Sequence, residues 1–537
     1  QRQMCIRDRS YFKGESMKNS GLSRRDFVKF SAIGATALGM GATNLMASAM
    51  NEKDVKWDEE YDVVIIGSGF AALAAGVTSA KKGNKVVLIE KMGRTGGNSV
   101  INGGIFAVPN SDMQKKAGIK DSTELFIKDC LKAGRGINHV DLLAKIGERA
   151  QDAYKLTLDC GAKYIDQITH AGGHSVPRSL QTEVGSGAGI VLPMTATFEK
   201  LEGASIKKRT KFDDFVFDDK GAVVGVIVRE NYKFDGNLMS DDVENKGGDT
   251  KYIKAKKGVV LAAGGFCRDK IFRRLQDPRI TPETDSTNQP GSTAGALLAA
   301  FRAGAYPVQP SWIQYGPWGC ADETGFGVGS MFNVNGAFPF GISVNPRTGK
   351  RYMNELADRR TRTEAMFKVI HEKGEDDKNF PINFCDSRAL PHMLPAHYEK
   401  AIAAGICKKF DTLDALAAEY KIPVDELKKT VARYNEFVKK GVDEDFGKPV
   451  VATTTKGIDI SVPPFYAERG TPKVHHTMGG LNINTKAQVM NSQTAMPIPN
   501  LYAAGEITGG VHGASRLGSV AITDCLTFGM IAAETIG

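Results

Sequence analysis

Tyr61-Asp-Val-Val-Ile-Ile66, Gly67-Ser-Gly69-Phe-Ala-Ala72 and Lys85-Val-Val-Leu-Ile-Glu90 are three pieces whose order decides the fold. The first is a short apolar run of buried-strand type. A glycine turn follows and opens an Ala-rich helical stretch reaching about Lys82. The third piece is another apolar run, ending in an acid. Strand, glycine turn, helix, strand and acid form the dinucleotide fingerprint in the setting it requires. Gly67 permits the turn, and Gly69 lets a pyrophosphate approach backbone N–H groups at the helix N-terminus. Ala72, after Ala71, stands in for the third glycine. Glu90, 21 residues after Gly69 and followed by Lys91, is placed to accept hydrogen bonds from a ribose hydroxyl.

The fingerprint alone leaves NAD and FAD open. Gly96-Gly97-Asn98-Ser99 and Asn102-Gly103-Gly104 make a second glycine-rich stretch, suited to backbone lying against a flat ring system and favouring FAD. Leu143, Ile146, Ala150, Tyr154 and Leu158 predict one apolar helix face. Phe212–Val216 and Val223–Val228 predict a hairpin across Asp218-Asp-Lys-Gly221. A strand from Lys257 ends at Ala263-Gly264-Gly265, a second backbone approach to the same dinucleotide.

From Trp312 the texture changes to aromatics among glycines, then to charged helices such as Val424–Lys440. At His475 the glycine-rich texture returns. The expected fold is α/β: a Rossmann-like FAD-binding domain, residues 58–311 and 475–537, interrupted by an inserted α+β capping domain, residues 312–474.

The length of 537 residues agrees with two packed domains. The net charge is +9, but residues 1–49 carry eight Arg and Lys against three acids, leaving +4 for the remainder. That is too mild for a nucleic-acid partner. Ser23-Arg24-Arg25-Asp26-Phe27-Val28-Lys29, a mildly apolar run and Ala47-Ser48-Ala49 resemble a twin-arginine export signal, so residues 1–49 are expected to be a leader and the mature chain periplasmic, without a membrane span. None of the eight cysteines is spaced Cys-x-x-Cys, so neither covalent haem nor a metal site is expected.

Four motifs then carry a resemblance: His475-His-Thr-Met-Gly-Gly480; Ala504-Gly-Glu-Ile-Thr-Gly-Gly-Val-His-Gly513 with Arg516-Leu-Gly518; Tyr434-Asn435 with Gly441–Gly447; and Arg351-Tyr-Met-Asn-Glu355 with Arg359. From about residue 58 the chain resembles the soluble fumarate reductases, urocanate reductases and succinate dehydrogenase flavoproteins. The resemblance implies FAD-dependent reduction of a C=C bond conjugated to a carboxylate or carbonyl. Hydride would come from flavin N5 and the proton from Arg359, with His475 and Arg516 clamping the acyl oxygens. His476, Gly505, Glu506, Ala521 and Ile522 would face the flavin.

Departures from the family pattern narrow the substrate. The fumarate reductases' capping-domain histidine falls in Ile313-Gln-Tyr-Gly-Pro-Trp318, which has none, so Tyr315 or Trp318 would stand there. Their Glu-x-x-Arg proton relay falls on Asn335 and Phe338, and Gly295 replaces an Asp near the flavin. No histidine lies in Gly96–Ser99, so the FAD is expected to be non-covalent. These changes suggest an unsaturated acid or ketone larger than fumarate, reduced as a terminal electron acceptor. Electrons would come from a periplasmic cytochrome or flavin-bearing donor. A dehydrogenase of succinate or ketosteroid type and a non-catalytic flavin carrier are the alternatives.

Overall fold

The structure is a computed structural model describing residues 50–374, 377–450 and 458–537. The expected leader and export signal lie outside the described residues.

Val63–Ile66 and Val86–Ile89 are buried throughout, as strands covered on both faces must be. They lie parallel in the middle of a nine-stranded sheet. Beside Glu59–Ile66 runs the long strand Asp249–Leu261. Its first half pairs antiparallel with Val223–Glu230 of the predicted hairpin, and its last three residues pair parallel with Pro497–Ala503. The C-terminal segment is thereby sewn back into the N-terminal nucleotide fold.

Helix Phe70–Ala80 lies under this sheet against the C-terminal helix Val520–Ile536. Their close crossing depends on Gly529, where a Cβ would meet Ala71 O at 2.4 Å. The helix predicted around Leu143 spans Val140–Asp159. Leu143, Ile146 and Ala150 are buried as expected, but Leu158 is 43% exposed. Leu142, Ala153 and Leu156 complete the buried stripe instead, because a period of 3.6 drifts across a 20-residue helix.

A second, antiparallel sheet has the strand order Lys350–Arg351, Ile342–Asn345, Ile382–Asp386, Phe465–Arg469, Lys408–Phe410. Its core is separate, and helix Val424–Lys440 contributes buried Leu427, Val431 and Tyr434 to it. The chain enters this region beside the strand Ile313–Gly316 and leaves through Lys473–Thr477. These two strands pair antiparallel, with Gln314 opposite His476. The architecture is a Rossmann-like α/β domain interrupted by an inserted α+β capping domain.

Among the described residues, no helix is long and apolar enough to cross a membrane, and the seven cysteines are free thiols.

Candidate active site

At the C-terminal ends of the parallel strands lies a partly open cavity. Gly67, Gly69, Ala71, Glu90, Lys91, Gly97, Asn98, Ser99, Ala263, Gly264, Gly505 and Glu506 line it. Gly67 has φ +110°, and a Cβ there would meet Ala262 O at 2.3 Å. Gly264 has φ +81° and nothing within 4 Å of where its Cβ would be, so a side chain there would enter open space. Such a cradle of bare backbone fits a dinucleotide.

Glu90, buried at its strand end, accepts from Ser68 Oγ and from Met92 N–H at 2.8 Å. Burial pushes its carboxyl above the usual range. Ala72, Gly103, Gly104, His476, Ala521 and Ile522 lie outside this cavity's lining. Gly104 is required for another reason: a Cβ there would meet Ser186 backbone at 2.5 Å. Gly295, the departure noted in the sequence, donates its N–H to Asp242 Oδ2 at 2.9 Å. An acid from a distant segment therefore reaches the cavity wall beside Lys91 and Lys211.

A cationic cluster lies on the strand ribbon. His475 Nδ1 is 2.7 Å from Thr287 Oγ1, and Arg516 Nη2 donates to His475 Nε2 at 3.3 Å. Arginine can only donate, so His475 Nε2 accepts and the ring is neutral. Burial, then the charges of Arg359 and Arg516, hold its pKa well below the ordinary histidine value. Arg359 Nη1 donates to Gln314 Oε1 at 2.6 Å. Gln314 Nε2 in turn donates to Ser515 Oγ and Arg516 O, both at 3.0 Å. The Trp318 ring lies 4.6 Å from the Arg359 guanidinium carbon and meets His475 edge-on at 4.9 Å.

Neither Arg359 nor Arg516 forms an ion pair with a carboxylate among the described residues. Burial lowers Arg516 to about 10. Arg359 is held well below its ordinary value by burial, then by Arg516 and Arg362. Its place at the first position of helix Arg359–Ile370 puts it against the positive end of the helix dipole. Asp358 caps that helix, accepting from Arg360 N–H at 3.0 Å and Thr361 N–H at 3.1 Å. The buried ion pairs from Arg351 to Glu355 (2.7 Å) and to Asp443 (3.0 Å) fix the preceding turn. Arg516 Nε is buried with no hydrogen-bond partner. Like charges packed this way are costly unless an anion joins them.

His476 Nδ1 is 3.3 Å from Glu506 Oε2, while its buried Nε2 has no partner. Burial lowers His476 to about 4, so the ring is neutral. Burial alone would raise Glu506, but His476 and the Thr477 N–H hold it low. An unpaired buried polar atom costs roughly 1–3 kcal/mol, so a cofactor group meeting His476 Nε2 would remove a penalty. The bare-backbone cradle and this unpaired nitrogen both fit FAD.

The structure brings together Arg359, His475 and Arg516 but sends Tyr315 elsewhere. Side chains alternate along a strand, so Gln314 takes the cluster face and Tyr315 the other. The Tyr315 ring packs edge-on to Phe367 at 5.2 Å, beside Cys267, Ile280 and Val474. Gln314 was legible only as one polar residue beside Ile313 in a short strand, and its role needed the pairing with His476. The cavity turn is tied to the cluster through Asn288, which hydrogen-bonds Asn98 and donates to His475 O at 2.8 Å.

Residues 62–522 match the family model described as FAD binding domain. The acrylate reductase flavoprotein subunit of Shewanella woodyi is 44% identical over 515 residues, covering 96% of this chain and 98% of that one. The urocanate reductase of Eggerthella lenta is 34% identical, covering 88% and 74%. A fumarate reductase (cytochrome) of Shewanella frigidimarina is 35% identical, covering 89% and 77%. Among solved structures, the open conformation of a flavocytochrome c3 fumarate reductase superposes with a TM-score of 0.69 at 27% identity, covering 97% of this chain and 82% of that chain.

Proposed function

The chain belongs to the FAD-binding-domain flavoproteins that include acrylate, urocanate and fumarate reductases, and on that premise we propose that it reduces the C=C bond of a short unsaturated monocarboxylic acid. The convergence of two unpaired arginines and a neutral histidine carries this reading. FAD, when bound, supplies the hydride that goes to the substrate β carbon.

Arg516 would hold the carboxylate through its unpaired Nε and its terminal nitrogens, a forked geometry that lysine lacks. Negative charge develops on the acyl oxygens during reduction, and fixed cationic donors stabilise it most where water is excluded. His475 adds a donor if its proton moves to Nε2, and the Thr287 hydroxyl can partner either tautomer. Arg359, weakened as a base by burial and by two neighbouring cations, would give the proton to the α carbon. Gln314 aims it.

Trp318 supports a monocarboxylate. Its ring fills the flank between Arg359 and His475, so a second carboxylate finds an aromatic face instead of a cation. The sequence suggested a substrate larger than fumarate, but a wall this close favours a small one. The 44% identity to an acrylate reductase flavoprotein subunit points the same way.

That relative is a subunit, which supports electron delivery from a separate partner, a cytochrome or flavin-bearing protein. Export by the twin-arginine route, a periplasmic location and use as a terminal acceptor complete the proposal. Anaerobic turnover with reduced viologen tests the core of it. Acrylate should exceed fumarate and urocanate in kcat/KM, and fumarate as the preferred substrate by tenfold would overturn it.

A further inference from the structure

An arginine that gives up its proton must be recharged before the next turnover. Arg359 has few neighbours that could do this: the charged groups bearing on it are Arg516 and Arg362. Arg516 would hold the carboxylate, which leaves Arg362.

The positions where fumarate reductases would place a relay do not serve. Asn335 lies beside His397 Nδ1 at 3.2 Å, and Phe338 is buried and has no ionisable group. The Phe338 ring is instead covered by Arg362, whose guanidinium carbon is 5.2 Å from the ring centre. An arginine delivered by a different helix therefore occupies that space. Arg362 stands three residues after Arg359 on helix Arg359–Ile370, and side chains at that spacing share a face. Its Nη1 donates to Glu355 O at 3.3 Å, while its Nε is buried with no hydrogen-bond partner. The side chain as a whole is only half-buried, so it spans from solvent to interior. Asp358, Glu355 and Tyr352 are the titratable groups that face it. Glu355 is engaged by Arg351, and the Tyr352 hydroxyl by Ser343. Asp358 is exposed at the helix cap.

We propose that Arg362 returns the proton to Arg359 after each turnover. The inference rests on Arg359 being the acid. In the first step an Arg359 N–H bond breaks and a C–H bond forms at the substrate α carbon, leaving a neutral guanidine. An Arg362 N–H bond then breaks and its proton bonds to Arg359, the electron pair staying on Arg362. At the Asp358 end a solvent water then gives Arg362 its replacement proton: an O–H bond breaks, the Arg362 N–H bond re-forms, and the hydroxide left is neutralised by bulk solvent. No electrons move in this return.

Recharging matters only from the second turnover onward, which makes it separable from chemistry. Pre-reduced FAD-loaded enzyme mixed with acrylate in a stopped-flow reports the first turnover as flavin reoxidation, and viologen assays report the steady state. Arg362→Gln removes one of the charges that weaken Arg359 as a base, so it should slow the first turnover somewhat, but it should lower the steady-state rate about tenfold or more beyond that. Arg362→Lys, which keeps a proton donor at the site, should retain most of the steady-state rate. Equal losses in both phases for both variants would show a structural role and overturn the proposal, as would an unchanged steady state in Arg362→Gln. Arg359→Gln serves as the reference: if its first turnover survives, the acid assignment itself is wrong, whatever Arg362 does.

Discussion

Gln314 Oε1 accepts from Arg359 Nη1 at 2.6 Å while the same amide donates to the backbone of Arg516, so one neutral side chain sets the distance between two like charges. A carboxylate in that place would have neutralised Arg359 and raised its proton affinity. An amide orients it without adding charge.

Gln314→Leu should therefore lower kcat by about tenfold to a hundredfold with a smaller change in KM, because misplacement of a positioned group by an ångström costs about that much. Gln314→Glu should do at least as badly, and its pH profile should shift. Steady-state kinetics across pH 6–9 would check both. A Gln314→Glu variant as active as the native enzyme would refute the orienting role.

Arg516→Lys keeps the charge and loses the fork. The expected loss is about 1.5–3 kcal/mol, or roughly 10–150-fold in kcat/KM, the range for hydrogen bonds to charged groups. Measured against acrylate, the effect should exceed that of Arg360→Lys, which sits on the exposed side of its helix next to Glu364.

Two buried histidines predict acid sensitivity. Burial lowers His174 and His476 to about 4, well below the ordinary histidine value. Each ring is neutral in the fold and would be protonated first in the unfolded chain, so stability rises with pH between about 4 and 6.5. Stability contributed by their neutral forms is intact above pH 6.5 and falls as pH drops toward 4, by on the order of 2–3 kcal/mol per histidine. Thermal melts at pH 7.5, 5.5 and 4.5 should show the decline, and His174→Asn should reduce its slope. A flat profile would argue against it.

Gly264→Ala places a methyl in the cofactor cradle. Gly221, with φ +77° and equally open surroundings, sits in the hairpin turn and serves as the control. Both substitutions should cost about 1 kcal/mol of backbone strain. Only Gly264→Ala should weaken FAD retention, read as FAD released on gel filtration.

The nucleotide half of the fold was legible because its signals are local. Val63–Ile66, the Gly67 turn and Glu90 follow within 30 residues, and each requirement is a backbone one. The bounds of helix Val424–Lys440 were legible for the same reason. His475, Arg516 and Arg359 could be picked out through resemblance, since they lie far apart in sequence and no periodicity joins them. Tyr315 was the wrong choice because, from the residue names alone, either face of Ile313–Gly316 could meet the cluster, and only the pairing with Lys473–Thr477 decides which does. Asp242 and Arg362 were missed because each does its work at a position where another residue was expected, and only three-dimensional proximity reveals such an exchange.

The unpaired guanidiniums of Arg359 and Arg516 have a consequence for how the reaction ends. A saturated acid keeps the carboxylate that relieves their repulsion, so the site discriminates poorly between substrate and product by charge. Shape alone is left to tell a planar alkene from a flexible alkane, and Trp318 is the surface that would read it. Propionate should compete with acrylate, and either anion should raise the melting temperature. Forward flux would then depend on how quickly product leaves its surroundings.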